Sequence, residues 1–286
     1  MVFHFPLEAA REAVARALAE DRADSDVTTA ACVPTGQMGA ARILAKADGV
    51  LAGLPVAQLV FEAVDATLCF ETLAREGDRV VAGQPLARVS GRLADILRAE
   101  RTALNFLQRM SGIATETARY VAAVEGTRTR ILDTRKTVPG LRPLDKYAVR
   151  AGGGQNHRLD LSDGILVKDN HLAAMAARGL GMREAVAQVK RNAPPGMRVQ
   201  VEVESFEQAQ EALAGGADAL LLDNMPPAEM RRVAELCASR APTEASGGIS
   251  LASARAAAET GVDYISVGAL THSVRALDIS LELEKA

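Results

Sequence analysis

The chain has 286 residues, 48% hydrophobic and 24% charged, and a net charge of −3. That is the composition of a globular protein of one to two domains with room for a large core. It offers no global attraction to nucleic acid or anionic membranes, and with 3% aromatics and no Trp it has little to stack on bases.

Cys32, Cys69 and Cys237 form no CxxC and no disulfide framework. A reducing compartment follows, and a cytoplasmic location is expected. Glu8, Arg11 and Glu12 interrupt the first apolar residues, unlike a signal peptide. The longest charge-free apolar run, 49–61, contains Pro55 and falls below the ~18 residues of a membrane span.

In chain order, Leu7, Val14 and Leu18 share one face of an amphipathic helix over 8–20. Asp24 to Thr29 reads as a polar turn. Residues 40–51 read as a strand pair turning at Ala47-Asp48-Gly49, and 54–64 has helical spacing. Residues 68–90 alternate between short strands and glycine turns. A sheet-rich lobe over about 25–92 results. Its one lysine, Lys46, reads as a solvated residue rather than a carrier attachment point. Residues 93–124 form one long helix, or two broken near Gly112. Glu100-Arg101 lies on it, and by spacing alone this pair is a solvated face.

From 127 the rhythm changes. Apolar runs at 130–133, 164–167, 198–203, 218–222 and 263–267 alternate with helical stretches near 183–192, 205–215, 226–238, 250–260 and 276–284. Strands and helices alternating in this way predict parallel βα units and an α/β barrel. A doubly wound sheet is the alternative, but no GxGxxG opens a helix here.

Barrel active sites gather at the C-terminal strand ends. There the sequence places Asp133-Thr134-Arg135-Lys136, Lys168-Asp169-Asn170, Glu202, Asp223-Asn224 and Gly268. A glycine triplet, 152–154, precedes His157 and Arg158. So many cations in one layer, beside two carboxylates, point to an enzyme that binds a small polyanion. His157 has no partner at zinc-ligand spacing and reads as a hydrogen-bond donor to a bound anion. Lys168 suits either a Schiff base or a point charge for a carboxylate. Glu202 and Asp223 suit a divalent cation or sugar hydroxyls. The turns Ser246-Gly247-Gly248 and Gly268 to Ser273 each precede a helix and fit a monophosphate, with plain helix caps as the simpler reading.

Taken in order, these segments resemble the quinolinate phosphoribosyltransferase family. The resemblance rests on Glu100-Arg101-Thr-Ala-Leu-Asn105, Asp133 through Gly140, Lys146-Tyr147-Ala-Val-Arg150, Gly152 through Arg158, and Lys168-Asp169-Asn170-His171. It continues through Glu202-Val203-Glu204, Leu222-Asp223-Asn224-Met225, Glu244-Ala-Ser-Gly-Gly248 and Val267 through Ser273.

It implies an N-terminal α+β open-sandwich domain over 1–112 and a C-terminal α/β barrel over 113–273. A C-terminal helix at about 274–286 packs back on the first domain. It also implies a homodimer in which Arg101 reaches the neighbouring subunit's site. Quinolinate and phosphoribosyl pyrophosphate, with Mg²⁺, would give nicotinate mononucleotide, pyrophosphate and CO₂ in de novo NAD biosynthesis.

By the same resemblance Arg101, Arg135, His157, Arg158 and Lys168 bind the two substrate carboxylates, and Lys136 attends the phosphoribosyl donor. Glu202 and Asp223 hold the ribose hydroxyls and Mg²⁺, and Lys136, Glu202 and Asp223 are the catalytic set. Ser246, Gly247, Gly248, Gly268 and His272 cradle the 5′-phosphate. Two positions depart from the family pattern. Ser25 stands where glycine is usual, and Pro242 shortens the strand before Glu244.

Other readings are a paralogue found beside molybdate-uptake genes, a lyase using Lys168, and a non-catalytic dicarboxylate binder. The intact 156–158 and 168–171 stretches disfavour the first. The added negative charge of Glu202 and Asp223 disfavours the last.

Overall fold

The computed structural model describes residues 4–238 and 240–285. The chain divides into two compact units. The first takes residues up to 118 with 136–153 and 269–286, and the second takes 119–135 and 154–268. No described helix is long and apolar enough to cross a membrane.

In the first unit β1 (Met38–Ala45), β3 (Cys69–Thr72), β5 (Pro85–Arg92) and β12 (Ile279–Leu283) form an antiparallel sheet in the order β12-β1-β5-β3. Ala41, Ile43 and Ala45 alternate onto its buried face. The other face places Arg42 directly opposite Arg88, a repulsive pair on its own. Glu284 bridges them, with its carboxylate 2.8 Å from Arg42 Nε and 2.9 Å from Arg88 Nη2.

The 40–51 stretch is not a hairpin. β2 (Gly49–Val50) pairs with β4 (Arg79–Val80), because both edges of β1 are taken by β5 and β12. The last segment is likewise a strand, not the helix expected over 276–284. Ile279, Leu281 and Leu283 alternate with Ser280, Glu282 and Glu284, the period of a strand, and β1 supplies the partner. Lys46 follows β1 and pairs with Glu282 at 3.0 Å.

The N-terminal helix α1 (Leu7–Asp21) buries Ala10, Ala13 and Val14. The expected turn at 24–29 instead opens α2 (Val27–Cys32). Asp26 is its N-cap and accepts from the Thr28 and Thr29 amides at 3.0 Å each. α3 (Leu54–Val64) starts with Pro55 in its first turn. α4 (Leu93–Ala123) runs unbroken through Gly112. A Cβ there would lie 3.0 Å from Ala276 Cα, so glycine serves close passage of the C-terminal chain, not a break.

α5 (Arg142–Ala151) is anchored by Asp145, 1% exposed, which takes a bidentate bond from Arg109 at 3.0 and 2.8 Å. Burial pushes the Asp145 carboxyl up even so. The short α11 (Ala269–His272) completes this unit.

The second unit is a parallel sheet of β6 (Arg130–Leu132), β7 (Ile165–Val167), β8 (Val199–Val203), β9 (Ala219–Asp223), β10 (Thr243–Ser246) and β11 (Tyr264–Ser266). Its order is β6-β11-β10-β9-β8-β7. The first strand therefore neighbours the last, with all others sequential. That is the order of a barrel cut between β6 and β7, and it excludes the doubly wound alternative. Gln155 fills part of the cut as a lone parallel bridge to Leu132.

Helices α6 (Asp169–Ala176), α7 (Met182–Asn192), α8 (Phe206–Ala214), α9 (Pro227–Cys237) and α10 (Leu251–Ala258) connect the strands. Pro242 sits just before β10, where its carbonyl accepts from the Leu220 amide at 3.1 Å. The strand is short yet pairs on both edges, with β9 and β11.

Replacing Asp145 with Asn keeps the shape and leaves Arg109 without its anionic partner. We expect a loss of about 3–5 kcal/mol in urea unfolding. A loss below about 1 kcal/mol would mean that the pair behaves as a solvated one.

Candidate active site

Parallel register sets the strand ends in one layer. Ser246 pairs with Asp223, Leu222 with Val203, Val201 with Val167, and Ser266 with Leu132. Asp133, Lys168, Glu202, Asp223, Ser246 and Gly268 therefore emerge at one end of the sheet, as expected for a barrel site. Arg135 follows Asp133 by two residues.

His157 and Arg158 reach this end on a strap docked against β6. The Gln155 amide donates to the Ile131 carbonyl at 2.8 Å, and the Asp133 amide to the Gln155 carbonyl at 3.1 Å. Asp133, fully buried, then accepts from the His157 amide at 2.8 Å and from Asn156 Nδ2 at 2.6 Å.

The His157 ring is engaged at both nitrogens. Its Nδ1 accepts from the Arg158 amide at 2.7 Å. Its Nε2 stands 3.2 Å from Glu244 Oε2. Glu244, 4% exposed, also accepts from Gln200 Nε2 at 2.8 Å. Burial pushes the Glu244 carboxyl up, but the bonds from His157 and Gln200 outweigh it and hold the group below the usual range. Within the unit His157 is thus a strut between the strap and β10. In the sequence Glu244 stood only in the Glu244 to Gly248 stretch of the family resemblance, and Asp133 read as one more charge at a strand end.

Two like-charged pairs stand at this end. Burial and the neighbouring Arg135 pull Arg158 below the ordinary guanidinium value, with Asp163 and Glu244 opposing. Arg158 Nη1 donates to the Gly164 carbonyl at 2.7 Å, while its Nε is buried without a hydrogen-bond partner. Burial likewise raises Glu202, and nearby Asp223 and Asp169 add to it against the pull of Lys168. Lys168 Nζ lies 4.0 Å from Glu202 Oε2, which casts it here as a charge partner. Asp223 accepts from Asn224 Nδ2 at 2.7 Å.

Among the described residues no group of three or more His, Cys, Asp or Glu is set to hold a metal. A pair of carboxylates does suit Mg²⁺, which keeps waters and shares substrate oxygens.

After β10 the chain turns through Gly247 (φ +87°) and Gly248 (φ +59°), both left-handed. A Cβ on Gly247 would lie 2.8 Å from the Asn224 amide nitrogen. That amide donates to the Ser246 carbonyl at 3.0 Å, locking the two loops together. Asn224 is itself left-handed at φ 53°, a conformation its short amide tolerates. Ser250 then precedes α10.

Three expected site residues lie in the first unit. Arg101 is exposed on α4, and Lys136 is exposed with its carbonyl accepting from Thr271 Oγ1 at 2.8 Å. His272 Nδ1 is 2.7 Å from Ser273 Oγ.

The C-terminal domain model of quinolinate phosphoribosyl transferase matches residues 113–282, and the N-terminal domain model matches 26–111. The chain belongs to that family. Among quinolinate phosphoribosyl transferase relatives, the nicotinate-nucleotide pyrophosphorylase [carboxylating] of Mycobacterium leprae is 48% identical, over 96% of this chain and 98% of its own. A probable one from Bacillus subtilis is 45% identical, over 85% and 83%. Of solved structures, NadC from Streptococcus pyogenes superposes with TM-score 0.93 at 40% identity, over 99% of each chain. The nicotinate-nucleotide pyrophosphorylase of Francisella tularensis gives 0.91 at 35%, over 98% of each.

In this member of the quinolinate phosphoribosyl transferase family the Gly247 turn is the tightest feature of the site. Gly247→Ala strains a left-handed backbone and drives a methyl into Asn224. We expect a stability loss of about 1–3 kcal/mol in chemical denaturation. An unchanged midpoint would show that the loop relaxes freely.

Proposed function

We propose that the chain transfers the phosphoribosyl group of phosphoribosyl pyrophosphate to quinolinate with loss of CO₂. The products are nicotinate mononucleotide and pyrophosphate, and the reaction belongs to de novo NAD biosynthesis. One observation carries the assignment of roles. The strand-end layer sets Arg135 near Arg158 and Asp223 near Glu202, and in each case the like neighbour adds to burial in disfavouring charge on Arg158 and on Glu202. A dianion relieves the first pair, and a cation or cation-like transition state relieves the second.

Quinolinate supplies the dianion. Arg135 and Arg158 grip its carboxylates through forked guanidinium donors, with Lys168 as a point charge. His157 supports this grip from the strap, and Lys136 attends the phosphoribosyl donor. As the bond from ribose C1 to pyrophosphate lengthens, positive charge grows on the ring, and Glu202 and Asp223 stabilise it. The ring nitrogen of quinolinate forms the new bond to C1.

That nitrogen is then cationic. The electron pair freed at the adjacent carbon as CO₂ leaves is stabilised beside it and then takes up a proton from solvent at that carbon, and the protein's part is to hold the substrate and shield the cation-like ribose from water. The 5′-phosphate fits the Ser246, Gly247 and Gly248 turn ahead of α10, with Gly268 and His272 as further contacts. Mg²⁺, held by Glu202 and Asp223, would neutralise charge on the departing pyrophosphate. Its fit rests on the raised Glu202 carboxyl beside Asp223, which a bound cation would relieve.

The protein acts as a cytoplasmic homodimer in this reading, with no nucleic-acid or membrane partner. Three free cysteines accord with a reducing compartment. Exposed Arg101 is the residue that would cross to the partner's site.

Purified protein mixed with quinolinate, phosphoribosyl pyrophosphate and Mg²⁺ should release nicotinate mononucleotide and CO₂ only when all three are present. Arg135→Ala should lower kcat/KM by at least about a hundredfold, the cost of a charged hydrogen-bonded grip, with the fold intact by circular dichroism. Wild-type-like turnover in that variant would refute the carboxylate role.

The shared site has its own test. Arg101→Ala and Arg135→Ala, each inactive alone, should regain about a quarter of wild-type activity when co-refolded, because mixed two-fold dimers keep one intact site. No recovery despite mixed dimers would place Arg101 in its own subunit's chemistry.

A further inference from the structure

The mechanism above leaves the buried carboxylate of Glu244 without a role. Glu244 lies on β10 with its side chain 5% exposed, between His157 on the strap and Gln200 on β8. We propose that Glu244 is a positioning residue: by accepting from His157 Nε2 it fixes the imidazole tautomer and holds the strap, and so sets where Arg158 meets the anionic substrate.

The hydrogen bonds order the argument. The Arg158 amide points its proton at His157 Nδ1, so that nitrogen carries a lone pair. The ring proton is thereby assigned to Nε2, which donates it to Glu244 Oε2 at 3.2 Å. The Gln200 amide donates to the same oxygen and keeps the carboxylate from turning away.

The peptide side is held by Asp133, which accepts from the His157 amide and the Asn156 side chain. Residues 156–158 are thus gripped by two carboxylates that are almost wholly buried, one at the backbone and one at the ring. Arg158 begins at that grip, and its far end is tied to the Gly164 carbonyl. A buried carboxylate on a substrate-binding barrel strand costs stability unless its partners repay it. Here those partners lead to the guanidinium.

Loss of the acceptor frees the ring to turn, removes the Nδ1 acceptor from the Arg158 amide, and lets the guanidinium shift. Misplacement of a binding group by a fraction of an ångström is enough to weaken a bidentate grip. The proposal rests on the reading of Arg135 and Arg158 as quinolinate-binding residues, and its experiment has one arm that does not.

That arm is the tautomer. In full-length wild-type enzyme labelled with ¹⁵N-histidine, the His157 signals are identified by their loss in His157→Gln. They should show an unprotonated Nδ1 and a protonated Nε2 near neutral pH. An averaged pair of shifts, or a protonated Nδ1, would overturn the strut.

The other arm is kinetic. Glu244→Gln keeps an acceptor oxygen for His157 and should leave the quinolinate KM within about threefold of wild type. Glu244→Ala should raise it about tenfold or more, equivalent to about 1.4 kcal/mol, while the KM for phosphoribosyl pyrophosphate stays within about twofold. Equal KM values in all three proteins, or a parallel rise for both substrates, would overturn the positioning role. If Glu244→Ala does not fold, Gln200→Leu, which removes the second bond to Glu244, should give the same substrate-selective rise at smaller size, and its absence would count against the proposal. Wild-type enzyme that failed to turn over quinolinate would defeat the substrate assignment, and the ring tautomer would still decide the strut.

Discussion

Two buried carboxylates, Asp133 and Glu244, hold the strap that fills the barrel's cut edge, and the cation side of the site depends on them. Asp133 is fully buried and spends its oxygens on the His157 amide and Asn156. Glu244 spends one oxygen on His157 and Gln200. A buried charge needs hydrogen-bond partners, and these bonds are what the strap offers in return. Residues 154–158 have no long ladder to hold them, only the single bridge at Gln155. Without the carboxylates the chain there would be an ordinary loop, and Arg158 would have no fixed origin.

The site built on this anchor sets like charges near one another. Arg158 is depressed by burial and by Arg135, and Glu202 is raised by burial and by Asp223. In the proposed reading an ion of opposite sign would relieve each pair, a small dianion the first and a centre that becomes positive the second. The overall charge of −3 contributes nothing to this, because the field is made within a few strand ends.

Much of the second unit was legible in the chain because parallel strands buried on both faces announce themselves as apolar runs. Five of its six strands were placed that way. β10 was not, since Thr243-Glu244-Ala245-Ser246 is polar and follows a proline. It is a strand because β9 and β11 offer two edges whose backbone groups need partners. The first unit was less legible. The 40–51 pair and the last helix were misassigned because short alternating segments do not name their partners, and in the structure β1 takes β5 and β12.

By itself the sequence determined the βα rhythm, the helical character of 93–124, and which residue types stand after the strands, since each is fixed by local periodicity. It also carried the segments by which the family is recognised. Only the tertiary structure decided that β12 is a strand, that Gly112 marks a close contact instead of a break, and that Glu244 supports His157 across the sheet interior. Those outcomes depend on pairs far apart in the chain. A hydrogen bond between residues 157 and 244 leaves no periodic trace in either segment, so it becomes visible only when the strands are placed side by side.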